Sequence, residues 1–137
     1  MSKYFERAKE LRAMTDIHYN CAQAVLVPFA EDLGISEEAA FRVAANFGRG
    51  MKMAATCGSI AGGLMVLGLF GVDTPPVISD YYKRLRDNHD GKLDCADLLR
   101  INKEQGGDRT AHCDSMVFEC VNLVEAILRE QGKIQTN

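Results

Sequence analysis

A chain of 137 residues, 47% of them hydrophobic, is the size of one domain and can bury about two thirds of its unfolded surface without disulfide or metal staples. Its net charge is −3, with 16 Lys and Arg scattered among 19 Asp and Glu, so there is no basic stripe for nucleic acid and no polybasic segment for anionic lipid. The cysteines, Cys21, Cys57, Cys95, Cys113 and Cys120, are odd in number and widely spaced, unlike the dense even sets of small secreted scaffolds. They read as thiols, metal ligands or redox groups of a cytoplasmic protein.

The residues from Met1 to Arg7 already form a charged amphipathic pattern, with no apolar region ahead of a small-residue cleavage site. A first helix is predicted over residues 2–14. Beyond it, apolar residues recur every three or four positions and predict helices at 20–33, 36–47, 56–70, 77–89, 94 to about 103, and 112–131. Gly34, Gly48, Gly71, Gly91, Gly106 and Gly132 stand where a left-handed residue would close a helix. Asp73-Thr74-Pro75-Pro76 is a rigid turn that opens the fifth helix. No run alternates with period two, so the expected fold is all-α: a compact single-domain bundle over residues 1–137, with the Gly/Ala-rich helix 56–70 near its centre.

Residues 53–72 carry no charge and are long enough to cross a bilayer. Five glycines dilute their hydrophobicity, Thr56 reads as a cap that shortens the helix, and no basic cluster flanks either end. A buried central helix is the better account, and no membrane span is expected.

Three cysteines directly follow a residue that caps helices: Asn20-Cys21-Ala22-Gln23, Thr56-Cys57 and Asp94-Cys95-Ala96-Asp97. Cys113 follows His112, a poor cap, but falls in the first turn of the last predicted helix. A helix start favours a thiolate by roughly 0.3 to 1 kcal/mol, less than one pKa unit, so stronger activation needs partial burial, a cation or a metal. Short loops make successive helices roughly antiparallel, which puts the starts of the second, fourth and sixth at one end of the bundle. The last joins them if residues 101–111 carry the chain back, as Gln105-Gly106-Gly107-Asp108 permits. The four sulfurs are therefore expected to converge, whereas Cys120, mid-helix and one heptad after Cys113, reads as core. There is no C-x-x-C, which speaks against a thioredoxin-type motif or a zinc ribbon.

Gly48-Arg49-Gly50-Met51-Lys52 reads either as a helix-closing loop or as an anion-binding nest, and lacks the ending of a nucleotide P-loop. Gly58 and Gly62, one turn apart, mark a face where another backbone approaches closely. Residues 86–97 resemble a calcium loop in their glycine and some oxygens, but Arg86 stands at the first ligand position and Asp97 where a bidentate Glu belongs. His18 and His112 are either metal ligands or proton acceptors for a neighbouring thiol, or hydrogen-bonded loop histidines.

The stretches "YNCAQAVLVPFAEDLGI", "GRGMKMAATCGSIAGGLMVLGL", "DCADLL" and "CDSMVFECVNLVEAIL" together resemble the redox-active proteins named for their C_GCAxxG_C_C cysteine pattern, whose central signature is Cys-Gly-Ala-x-x-Gly. The resemblance runs from about residue 19 to residue 128. It implies that the family cysteines are Cys21, Cys57, Cys95 and Cys113 and the signature glycines Gly58 and Gly62, with Ser59 in place of the signature alanine and Cys120 where alanine is expected. It also implies a redox role, and an association with transporter genes.

Three readings stay open. In the first, Cys57, activated at its helix start, forms a reversible disulfide with Cys21, Cys95 or Cys113, the chemistry of a thiol-disulfide oxidoreductase. In the second the same four thiolates hold a metal ion or an iron-sulfur cluster. Gly58, Ser59 and Gly62 are the candidate cofactor-binding residues. The third is a helical interaction module serving a transporter, its cysteines merely packed. A redox partner or a transporter system is the expected partner, and a homo-oligomer is compatible with all three.

Overall fold

A computed structural model describes residues 2–135; Met1, Thr136 and Asn137, and with them the first residue of the N-terminal pattern, lie outside the described residues. Ser2 opens the first helix, α1 (Lys3–Ala13), its hydroxyl accepting the Phe5 N–H at 3.1 Å. Then come α2 (Cys21–Leu26), a tight turn at Val27–Phe29, α3 (Ala30–Leu33), α4 (Glu37–Val43), α5 (Gly58–Leu69), α6 (Pro75–Asn88), α7 (Cys95–Glu104) and α8 (Arg109–Glu130). The fold is an all-α bundle. Its one extended pairing among the described residues is a single antiparallel bridge between Thr56 and Asp94.

The helix expected over 20–33 is split in two. Pro28 has no N–H to give, and the chain tightens around it before resuming as α3. The last helix starts earlier than expected because Asp108 caps it, accepting the Ala111 N–H at 2.9 Å. Gly34, Gly71, Gly91, Gly106 and Gly132 take the left-handed conformation foreseen for them. Gly48 does not: the left-handed residues there are Arg49 to Lys52.

Helix α5 sits at the centre, with Ile60, Val66 and Leu67 fully buried. Its glycines set how near its neighbours come. A Cβ at Gly62 would lie 2.8 Å from the Ala22 carbonyl oxygen and 3.1 Å from the Val25 side chain, so α2 runs along this face in backbone contact. On another side, Gly63 leaves room for the Tyr81 hydroxyl of α6, which donates to the Ile60 carbonyl at 2.9 Å. Ala22, Val25 and Leu26 of α2 and Val117, Val121, Val124 and Leu128 of α8 complete the core. Each buried Leu, Ile or Val contributes roughly 1.5 to 3 kcal/mol. No helix among the described residues is long and apolar enough to cross a membrane.

Candidate functional site

Cys21 is the first residue of α2, and its position is fixed from several directions. Asn20 and Gln23 form a reciprocal cap: each side-chain oxygen accepts the other residue's backbone N–H at 2.8 Å. The Asn20 amide donates to the Ala45 carbonyl at 3.2 Å and the Gln23 amide to that of Phe41 at 2.8 Å, locking α2 to the segment around α4. Arg12 holds the approach, donating to the Tyr19 carbonyl at 2.9 Å while pairing with Asp114 of α8 at 2.6 Å.

Cys57 and Cys95 are placed by the bridge between Thr56 and Asp94. The Cys57 N–H donates to the Leu93 carbonyl at 2.9 Å and the Cys95 N–H to the Ala55 carbonyl at 2.6 Å, so the starts of α5 and α7 are stitched side by side. Thr56 is therefore a bridge residue rather than the helix cap; Cys57 itself occupies the cap position of α5. Cys95 follows the cap residue Asp94, as expected. Cys113 is the fifth residue of α8, one turn further in than the sequence suggested, because the helix begins at Arg109. The dipole effect fades within the first turn, so it does not reach Cys113.

Despite these different placements, Cys21, Cys57, Cys95 and Cys113 line one cavity of about 400 Å³. Leu98, Leu99 and Met116 form its apolar wall, and Arg12, Arg49 and Arg109 bring positive charge to it. His18 and His112 also line it, as do Gly58 and Ser59. Gly62 does not; it is buried under α2, and its part is packing rather than contact with anything in the cavity. Cys120 lies elsewhere, fully buried beside Tyr81, in the core role expected of it.

The electrostatics overturn the expectation of an activated Cys57. Burial pushes its thiol up from 9.0 to about 12, and the neighbouring Cys21 adds to the rise, although the backbone amides of Ser59 and Ile60 favour the thiolate. That shift corresponds to roughly 4 kcal/mol, several times what a helix start supplies. Burial, then Cys21, also raises Cys95 and Cys113; the charges of Arg109 and Arg49 partly offset this at Cys95, and those of Arg12 and Arg109 at Cys113. In the free protein these sulfurs are held as thiols. Burial, and then nearby His89, lowers the pKa of His112, which keeps its ring neutral.

Two local features oppose stability here. The Ser59 hydroxyl is sealed from solvent with no hydrogen-bond partner among the described residues, at a cost of roughly 1 to 3 kcal/mol. Arg49, Gly50, Met51 and Lys52 are consecutive left-handed residues, and each that carries a side chain costs about 1 to 2 kcal/mol. Gly50 is obligatory, since a Cβ there would overlap the backbone of Ala55. Strain of this kind persists where surrounding structure enforces it, often at functional sites; this turn carries Arg49 to the cavity.

Sequence reasoning missed Arg12 and Arg109. Arg12 is distant in the chain and gave no signal, but Asp108 as a cap in front of Arg109 was a legible one. The metal reading finds no ligand set: among the described residues, no group of three or more His, Cys, Asp or Glu is arranged to hold a metal ion.

The family model described as "Putative redox-active protein (C_GCAxxG_C_C)" matches residues 19–127. No curated protein and no solved structure matches the chain.

Proposed function

The chain belongs to the C_GCAxxG_C_C family, and on that premise we propose that the cavity performs reversible thiol-disulfide exchange, with Cys21 and Cys57 as its working pair and the cytoplasm, where thiols are kept reduced, as its setting. One observation carries this reading: the Cys21 sulfur occupies the space a side chain at Gly58, the residue next to Cys57 in the chain, would need. Cys21 is also the common neighbour, since its sulfur acts on Cys57, Cys95 and Cys113 alike.

Cys21 is partly exposed and Cys57 buried, which assigns them an order. The Cys21 sulfur attacks one sulfur of a substrate disulfide, and its proton leaves with the other half, which is released as a thiol. Cys57 then attacks Cys21 in the mixed disulfide and releases the second half. The protein gains a disulfide and the substrate becomes two thiols, so electrons and protons balance.

Counting thiols tests this. Mild oxidation of the native protein should remove a pair of titratable thiols, dithiothreitol should restore them, and Cys21→Ser or Cys57→Ser should each abolish the effect. Unchanged behaviour of Cys57→Ser would leave only the packed-cysteine reading. Metal content and visible absorption in anaerobically purified protein would replace exchange with the metal or cluster reading.

A further inference from the structure

The mouth of the cavity carries two cations that structure alone does not account for. Arg49 and Arg109 are exposed, both line the cavity, and neither has an ion-pair partner among the described residues. Arg12, the third arginine, is already committed to Asp114. Each of the two free arginines stands where it opposes local stability. Arg109 is the first residue of α8, at the positive end of the helix dipole, with no acidic residue in the first turn. Arg49 holds a left-handed backbone with φ of 55°. Both lie near enough to the Cys95 sulfur to favour its thiolate, and Arg109 does the same at Cys113.

We propose that the cavity binds a small organic anion, its carboxylate held by Arg49 and Arg109 at the mouth while its body reaches the sulfurs; resting on the exchange reading above, the substrate is a carboxylate-bearing low-molecular-weight disulfide. Two guanidinium forks match carboxylates, whose planar pairs of oxygens accept parallel hydrogen bonds. The wall of Leu98, Leu99 and Met116 has no use for an inorganic oxyanion but suits a carbon chain. A volume of about 400 Å³ lies within the range of small-molecule sites. Ser59, on the cavity lining, carries a hydroxyl with no hydrogen-bond partner among the described residues. The reaction remains balanced: the dianionic disulfide becomes two acidic thiols as the cysteine pair becomes a disulfide.

The test compares the rates at which dithiodiglycolate (dianionic), hydroxyethyl disulfide (neutral) and cystamine (dicationic) oxidise the reduced protein. The dianion is expected to react at least tenfold faster than the dication at low salt, against the protein's own charge of −3, and added salt should compress the ratio. In the R49Q/R109Q double variant the ratio should fall to near one. Equal or faster oxidation by cystamine in the unaltered protein overturns the proposal, as does a salt-insensitive ratio, so the result does not depend on the variant folding. If none of the three disulfides reacts, the exchange reading fails. Thiodiglycolate, a thioether that cannot exchange, separates the two ideas: protection of Cys95 and Cys113 from alkylation would keep the anion site and overturn exchange alone. Absence of protection together with charge-blind exchange by all three disulfides would overturn the anion site alone.

Discussion

At position 58 the absence of a side chain decides where a sulfur sits. A Cβ there would strike the Cys21 sulfur and lie 2.7 Å from the Phe47 carbonyl oxygen, a backbone atom that cannot yield cheaply. Gly58→Ala is therefore expected to cost about 1 to 3 kcal/mol in urea denaturation and to slow disulfide formation by Cys21. Gly68→Ala, in the same helix but with nothing within 4 Å of its Cβ, should instead stabilise by about 0.5 to 1 kcal/mol. The pH dependence of stability reports on Cys57. Below pH 9 its thiol is protonated in folded and unfolded chains alike. Between 9.0 and about 12 the unfolded chain has lost that proton while the folded one keeps it, so stability falls as pH rises, by up to about 1.4 kcal/mol per pH unit. Urea midpoints between pH 8 and 11 should drop more steeply for the native protein than for Cys57→Ala. Cap residues in the sequence marked the helix starts that carry Cys21 and Cys95 to the cavity; the protonation of the sulfurs was not legible, because burial depends on helices distant in the chain.

At the scale of elements, the turn at residues 49–52 is the departure with the clearest consequence. The sequence offered a flexible loop or an anion nest; the backbone is a run of left-handed residues, three of them with side chains. Met51 is exposed with φ of 59°. Met51→Gly should relieve its strain, and after the extra entropy of the unfolded chain a net gain of about 1 kcal/mol is expected in thermal or urea unfolding. A loss of stability would show that the Met51 side chain, not its backbone, holds the turn. Helix positions were legible where apolar periodicity and glycine stops agreed, as in α6 and α7. They were misplaced where a single residue decides: Pro28 divides one expected helix, and Asp108 advances the start of α8 and moves Cys113 inward.

For the whole molecule, antiparallel helix order brought three of the cysteines to one end and a returning connection before α8 was needed for the fourth; all four line one cavity, but the means were not foreseen. A one-residue bridge joins the starts of α5 and α7, a glycine face lets α2 lie against α5, and the pair between Arg12 and Asp114 ties the approach to Cys21 onto α8. Of these contacts only the glycine face had a local signature, Gly58 and Gly62 one turn apart; the bridge and the ion pair join residues far apart in the chain and had none. Together they build a cavity whose floor carries sulfur, whose wall is apolar and whose mouth is cationic.

The most direct measurement is peptide mass mapping of the disulfides formed when the native reduced protein is gently oxidised. A bridge between Cys21 and Cys57 within one chain, with Cys120 left as a free thiol, is the predicted product. A bridge that includes Cys120, or cross-links only between separate molecules, would contradict the account.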